Sequence, residues 1–261
     1  MKTEIELWFK DAEADRQRVS SSIRVLIVAA GGQVYQEAIV QEIAYHGLLA
    51  ELPANVMEGL VARQDVALVM DDDIMFLRPQ SVLNGPSDLE AYTLEEHENQ
   101  FNLSGPQLPI ADLLDGVPVQ AHQFLSDRLI IDDPDDLQSR TLVTHRRHGT
   151  SMASLILHGD LNEEEEPLSR PIYVRPILTS SNGEIEHSDT NRLLVDIIHS
   201  AVVQMKGQRE REGTAPSVFL VNLSLGDTRR PFSRSVSPLV RLLDFLAYKY
   251  DLLFLGSVDV H

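Results

Sequence analysis

The chain has 261 residues, a formal net charge of −18 and no cysteine. So large an acidic surplus argues against nucleic acid or an anionic membrane as a partner. The absence of cysteine excludes disulfides and cysteine-ligated metals. Hydrophobic residues make up 43% of the chain, which is enough to build one large domain or two smaller ones.

Residues 1–78 predict a small separate domain. Its hydrophobic pattern changes between strand and helix periods along the chain. The order β-α-β-β-α-β indicates an α+β unit of the ferredoxin-like kind. The predicted elements are a strand at 4–9, a helix at 11–29, two strands within 33–52, a helix at 53–61 and a strand that begins at 65 and ends near 76.

Residues 79–107 predict a polar, acidic linker, with chain breakers at Asn84-Gly85-Pro86 and Gly105-Pro106. Residues 108–261 form the second predicted domain. Because predicted strands alternate with predicted helices there, a parallel α/β sheet is expected. Its later elements are a strand at 171–177, a helix at 189–206, a strand from 217, a helix at 234–250 and a strand at 252–255.

Three stretches of the second domain carry candidate functional residues. An apolar run at 108–119 carries Asp112 and reaches a turn at Asp115-Gly116. Next, His148 stands directly before Gly149-Thr150 and a run of small and apolar residues, a pattern typical of a helix start with Thr150 as its cap. A second apolar run at 216–226 ends in Ser224-Leu225-Gly226. Sites of α/β folds are built at such strand ends.

In this order, the three stretches resemble the subtilisin-like serine proteases (subtilases), over roughly residues 108–256. Asp115-Gly116 is similar to the family's aspartate motif, although the Ser or Thr between Asp and Gly is missing. The run from His148 to Ala153 is similar to its histidine motif, and 221–226 to the strand that lines its substrate cleft. The order of aspartate before histidine is that of subtilisin.

The resemblance implies a serine endopeptidase with a subtilisin-like domain, preceded by a propeptide-like domain at 1–78. His148 would be the general base and acid, and Asp115 would orient its ring. The backbone of Ser224, Leu225 and Gly226 would pair with an extended peptide or protein substrate. No cofactor or metal is expected for this chemistry.

The chain departs from the family at its end. The family's Gly-Thr-Ser-x-Ala-x-Pro motif, which holds the nucleophile, has no counterpart before His261, and no asparagine stands at the oxyanion position. We therefore expect an incomplete subtilisin-like domain that is inactive by itself. Gly149-Thr150-Ser151-Met152-Ala153 spells part of the serine motif, but Ser151 lies inside the histidine motif, so a small helical residue packed near the sheet is the favoured interpretation.

Several alternatives remain open. A non-catalytic peptide-binding or docking chain is the main one. His145 and His148, three residues apart, suggest a weaker hypothesis of a zinc hydrolase. The acidic run 132–136 suits calcium in composition but matches no known loop, so a solvated turn is favoured. No signal peptide or membrane-spanning run is evident, so the cytoplasm is the expected location, although subtilases are often secreted.

Overall fold

The computed structural model describes residues 1–61, 71–85, 107–162, 166–180, 186–208, 210–225 and 236–256. The chain divides into two compact units. The first holds the described residues within Met1–Val82, Thr190–His199 and Thr228–Phe245, and the second holds those within Leu83–Asp189, Ser200–Asp227 and Leu246–His261. The predicted domain boundaries at 78 and 107 stay predictions, and most of the predicted linker, 86–106, lies outside the described residues. No helix in the described part of the chain is long and apolar enough to cross a membrane.

The first unit contains a four-stranded antiparallel sheet in the order β2-β3-β1-β4. Its elements are β1 (Lys2–Leu7), α1 (Glu13–Ala29), β2 (Gln33–Val40), β3 (Tyr45–Glu51), α2 (Ala54–Val61) and β4 (Ile74–Pro79). The predicted element order is therefore observed. Strand β4 follows a turn at 71–73, and the start predicted for the last strand, at residue 65, falls within 62–70, which lie outside the described residues.

Both faces of β1 are buried, for different reasons. On one face Ile5 and Leu7 pack with α1 residues such as Ile23 and form an apolar core. On the other face the carboxylate of Glu6, which is fully buried, is paired with the guanidinium groups of Arg78 and Arg241. A buried carboxylate is tolerated because cations neutralise it.

The second unit is built around a parallel five-stranded sheet in the order β13-β12-β5-β7-β6. Its early elements are β5 (Ala111–Asp115), β6 (Leu129–Ile131), α3 (Leu137–Arg140), α4 (Arg147–His158), β7 (Ile172–Pro176), β8 (Leu178–Thr179) and β9 (His187–Ser188). Its later ones are α5 (Leu194–Lys206), β10 (Gly207–Gln208), β11 (Arg211–Glu212), β12 (Leu220–Leu223), α6 (Pro238–Tyr250) and β13 (Leu253–Gly256). The two units share α5 and α6.

Helix α4 covers one face of this sheet. Ala153 and Leu157 on the helix are buried against Leu113 of β5 and Val174 of β7. Burying a side chain of the size of Leu157 is worth about 1.5–3 kcal/mol, which fixes the helix on the sheet. This packing consequently fixes the position of the first turn of α4 relative to the end of β5.

The direction of winding changes at β5. From β5 the chain proceeds to β6 and β7 on one side, and then crosses to β12 on the other. In open parallel sheets, ligands bind in the crevice beyond the carboxyl ends of the strands at such a switch point. Asp115 ends β5, and Ser224 follows the end of β12, so two of the predicted site residues lie at this edge.

Candidate active site

The centre of the candidate site is a buried pair formed by Asp115 and His148. The Nδ1 atom of His148 lies 2.6 Å from Oδ1 of Asp115. Asp115 is fully buried and His148 is 6% exposed. Since the carboxylate can only accept, Nδ1 carries the proton, and a neutral ring then has its lone pair on Nε2. Within the described residues, Nε2 makes no hydrogen bond.

Two elements hold this pair together. Asp115 is the last residue of β5, where parallel pairing to β7 fixes the backbone, and its carbonyl accepts the N–H of Ile177 at 2.8 Å. His148 lies in the first turn of α4. The backbone N–H of Gly116 also donates to Oδ1 of Asp115, at 2.6 Å, so this one oxygen accepts hydrogen bonds from Gly116 and from His148.

Glycine is required directly after His148. A Cβ at Gly149 would lie 2.2 Å from the carbonyl oxygen of Gly116, a distance that backbone atoms cannot accommodate without moving. The histidine motif therefore has glycine after His148 because the helix start packs directly on the turn after β5. This contact sets the spacing between His148 and Asp115.

The charges around His148 favour its protonated form. Burial lowers the pKa of His148, but the hydrogen bond to Asp115 and the negative charges of Asp115 and Glu186 raise it by more. The pKa of the ring therefore lies above its ordinary value of 6.5. A base of this kind takes up a proton readily and holds it while the Asp115 carboxylate is ionised.

Glu186 is a second acidic residue of the site, and it was not predicted from the sequence. Its Oε2 accepts the backbone N–H of His148 at 3.2 Å, and its side chain is buried. Burial first, and then the charge of Asp115, raise the pKa of Glu186 to about 7, against the lowering effects of the His148 N–H and ring charge. No motif or spacing marks this residue, because its contact bridges 38 positions between separate segments.

A short extended segment runs beside the pair. Leu83 exchanges hydrogen bonds with Ser188, and the N–H of Gly85 donates to the carbonyl of Glu186 at 2.8 Å. A Cβ on Gly85 would lie 3.7 Å from Cβ of His148. The described residues 83–85, which the sequence analysis placed in the linker, therefore lie against the candidate site.

The predicted substrate-binding residues stand at the end of β12. Strand β12 is paired with β5 as far as Asn222 and with β13 as far as Leu223, so a substrate strand has no free edge on the paired part of β12. Ser224 and Leu225 lie beyond the pairing, and Leu225 is buried. Gly226 is outside the described residues, so the predicted role of these three residues remains a prediction.

Two predictions about helix α4 were wrong. Thr150 does not cap it, because the helix begins at Arg147; the Thr150 hydroxyl donates to the carbonyl of Arg146 and accepts the N–H of Val119 at 2.9 Å. Ser151 is exposed rather than packed near the sheet. The helix starts one turn early because Glu186, distant in sequence, satisfies an N–H of its first turn.

The acidic run 132–136 serves the fold. Asp133 accepts the N–H groups of Leu137 and Gln138 at 2.9 and 2.7 Å at the start of α3. Asp132 accepts from Tyr173, which sits on the neighbouring strand, and both Asp132 and Asp135 face Arg175. Residues 134–136 are exposed and include a turn, as expected, and Asp132, Asp133 and Asp135 have partners in the protein as well.

No group of three or more metal-ligating side chains occurs within the described ranges. His145 lies in a 3-10 turn at Val143–His145 that ends before α4 begins. It therefore does not share a helix face with His148, and the geometric basis for the zinc hypothesis is wrong. The ring of His148 is instead bound to Asp115.

No protein-family model matches the chain, and no curated protein matches it. Among solved structures, a serine-to-alanine mutant of the epidermin leader peptide processing serine protease (EpiP) from Staphylococcus aureus is similar at a TM-score of 0.46 and 9% identity, over 98% of this chain and 60% of that chain. The unmutated EpiP gives a TM-score of 0.46 and 10% identity, over 98% and 59%. This chain spans about three fifths of the length of these proteases.

Proposed function

We propose that this chain carries the acid–base half of a serine-type endopeptidase with a subtilisin-like arrangement. The observation that supports this most is the buried pair of Asp115 and His148, whose Nδ1 to Oδ1 distance is 2.6 Å. It lies at the carboxyl edge of a parallel sheet, at the switch point where such folds build sites.

The chemistry follows from the direction of the hydrogen bond. With Nδ1–H bonded to Asp115, the lone pair of Nε2 accepts the proton of a serine hydroxyl as its oxygen attacks the peptide carbonyl carbon. The buried carboxylate stabilises the imidazolium that results. The same Nε2 then returns the proton to the leaving amine, and a second cycle with water releases the acyl group.

The proposed substrate is an extended peptide or protein, which would pair with the backbone of Ser224, Leu225 and Gly226 beyond the end of β12. The net charge of −18 disfavours nucleic acid and anionic membranes as competing partners. In the same scheme residues 1–78 are a ferredoxin-like propeptide domain. That role is supported by the antiparallel sheet and by the element order.

A non-catalytic peptide-binding chain is the second candidate. One observation favours it: within the described part of the molecule, Nε2 of His148 has no hydroxyl bonded to it. The two candidates differ in whether a nucleophilic serine reaches this nitrogen. Peptide binding without cleavage would support the second candidate.

The test is peptide hydrolysis by the gene product purified from its source cells, expressed from the native locus. Wild type is compared with Asp115→Asn, His148→Ala and the exposed-site control Ser151→Ala. We expect hydrolysis that is lost in the first two variants and retained in the third. Hydrolysis that persists in His148→Ala, or none from the native gene product, would overturn the proposal.

A further inference from the structure

Glu186 is a second buried carboxyl group at the candidate site, and the serine-peptidase scheme assigns it no task. We propose that Glu186 is a positioning residue, which holds the first turn of α4 through the backbone N–H of His148 and stabilises the protonated imidazole by its charge. Its effect on the histidine stands on geometry alone, whereas its effect on catalysis rests on the proposed function.

The first part of the inference is that Glu186 holds the first turn of α4, and it depends on a hydrogen bond to the backbone of His148. The first N–H groups of a helix lack partners within the helix and need an external acceptor. The residue before α4, Arg146, offers no side-chain cap, and the acceptor is instead Oε2 of Glu186, 3.2 Å from the N–H of His148. The carboxylate therefore bonds the same residue whose ring contacts Asp115. A carboxylate near a helix N-terminus is also favoured by the helix dipole.

The surroundings make room for this carboxyl group. A Cβ at Gly116 would lie 2.1 Å from Oε1 of Glu186, so the turn after β5 admits the carboxyl group only because residue 116 is glycine. The carbonyl of Glu186 accepts the N–H of Gly85 at 2.8 Å, which fixes its backbone as well. Contacts with Gly116, His148 and Gly85, which belong to three separate segments, therefore fix Glu186 beside the pair of Asp115 and His148.

The second part of the inference is the effect of the Glu186 charge on His148, and it depends on the other carboxyl oxygen, Oε1. Oε1 of Glu186 is buried and has no hydrogen-bond partner within the described residues. The titratable groups whose charges act on Glu186 are Asp115 of β5 and His148 of α4. An ionised Glu186 beside Asp115 costs free energy, which a proton on the His148 ring offsets. The arrangement therefore couples the charge of the glutamate to that of the histidine.

Three substitutions separate the contact from the charge. Glu186→Gln keeps an oxygen acceptor for the His148 N–H but removes the charge. Glu186→Ala removes both, and Glu186→Asp keeps the charge on a shorter side chain. Glu212→Gln is the matched control, because it makes the same charge change on the exposed strand β11 of the same unit.

The experiment is an NMR titration of the full 261-residue chain with labelled histidine, with His148 assigned by its loss in His148→Ala. We expect Glu186→Gln to lower the titration midpoint of His148 while the low-field Nδ1 proton signal is retained. Glu186→Ala should lower the midpoint and also broaden that signal, Glu186→Asp should restore part of the midpoint, and Glu212→Gln should leave it unchanged. An unchanged or raised midpoint in Glu186→Gln would overturn the inference.

The effect of Glu186 on catalysis is measured by the kinetics of the gene product expressed from the native locus. The acid limb of kcat/KM plotted against pH reports the pKa of His148 in the free enzyme. Glu186→Gln should therefore move that limb to lower pH. A purely structural residue would lower activity without moving the limb. A shifted NMR midpoint without any hydrolysis by the wild type would refute the peptidase proposal and leave the role of Glu186 at the histidine intact.

Discussion

At the level of single residues, the candidate site depends on one hydrogen bond, between Nδ1 of His148 and Oδ1 of Asp115. Replacing Asp115 by asparagine removes the charge and can present an N–H to the ring, which favours the wrong tautomer. We predict that Asp115→Asn lowers the pKa of His148, because the hydrogen bond and charge that raise it are lost. The NMR midpoint of His148 measures this directly.

The same substitution should reduce kcat of the native gene product by roughly 10⁴-fold, the size of loss found when an orienting aspartate is replaced by asparagine in a serine protease triad. Substrate affinity should change little, since Asp115 lies behind the ring. A loss of less than about tenfold would show that the carboxylate does not orient the base.

The titration of the site also predicts a dependence of stability on pH. The pKa of Glu186 is about 7 in the folded chain against an ordinary 4.5, so the folded state binds more protons between these values. Stability therefore falls as pH rises through this window, by on the order of 3 kcal/mol for this group. The raised pKa of His148 acts in the same direction, because its contribution is complete below 6.5 and is lost as pH rises through the folded pKa.

We therefore expect the free energy of unfolding to decline between pH 5 and pH 8, and Glu186→Gln to flatten the decline. Chemical denaturation at a series of pH values measures both. The control Glu212→Gln should reproduce the wild-type slope. A wild-type curve that rises over this range, or an unchanged slope in Glu186→Gln, would contradict the assigned pKa direction.

At the scale of elements, helix α4 and the turn after β5 act as one assembly. Gly149→Ala would place a Cβ 2.2 Å from the carbonyl oxygen of Gly116, so the helix start must move away from β5. We predict a destabilisation of about 1–3 kcal/mol, typical of overpacking, and loss of the low-field Nδ1 proton signal of His148. Denaturant melts and NMR provide the two measurements.

Ser151→Ala is the matched control for this change. It puts alanine on an exposed position of the same helix, where the effect on stability should be within a few tenths of a kcal/mol. Its His148 signal should equal that of the wild type. A Gly149→Ala variant that keeps both wild-type stability and the proton signal would show that the packing does not set the geometry of the pair.

Long periodic segments were predictable from sequence, and short or distantly supported features were not. Helix α1 and strands β5, β7 and β12 were predicted because their apolar residues recur at helical or strand spacing over enough positions. Strand β6 was missed because three residues carry too little pattern. The start of α4 was placed too late because one N–H of its first turn, that of His148, is satisfied by Glu186, far away in sequence.

The residues of the candidate site were likewise only partly predictable from the sequence. Asp115 and His148 were predicted because each stands in a local motif, and the structure brings them together. Glu186 was missed because the feature that defines it is burial against two other segments, which no local pattern records. Glu186 lies beside Gly116 and His148 only because the fold of the second unit brings these segments together.

At the level of the whole molecule, β13 is the outermost strand of the parallel sheet among the described residues. No described strand pairs with the outer edge of β13, and Leu253 and Leu255 on it are 56% and 46% exposed. Unpaired edges with apolar side chains promote association between copies of a chain, and a lysine on the edge opposes it. We predict concentration-dependent association of the 261-residue chain that Leu255→Lys reduces.

Sedimentation velocity over a range of concentrations measures this association. Tyr248→Lys is the control, because it adds the same charge at an exposed position of α6 away from the strand edge. It should associate like the wild type. A wild type that stays monomeric at all concentrations, or equal effects of both lysines, would contradict the role of the edge.

We propose that His148 and Asp115 activate a serine nucleophile. Fluorophosphonate labelling of the gene product from its native locus, followed by peptide mapping, tests it most directly. We expect one labelled serine other than Ser151, with labelling lost in His148→Ala and strongly reduced in Asp115→Asn. Labelling on Ser151, labelling that survives in His148→Ala, or no labelled serine at all would contradict it.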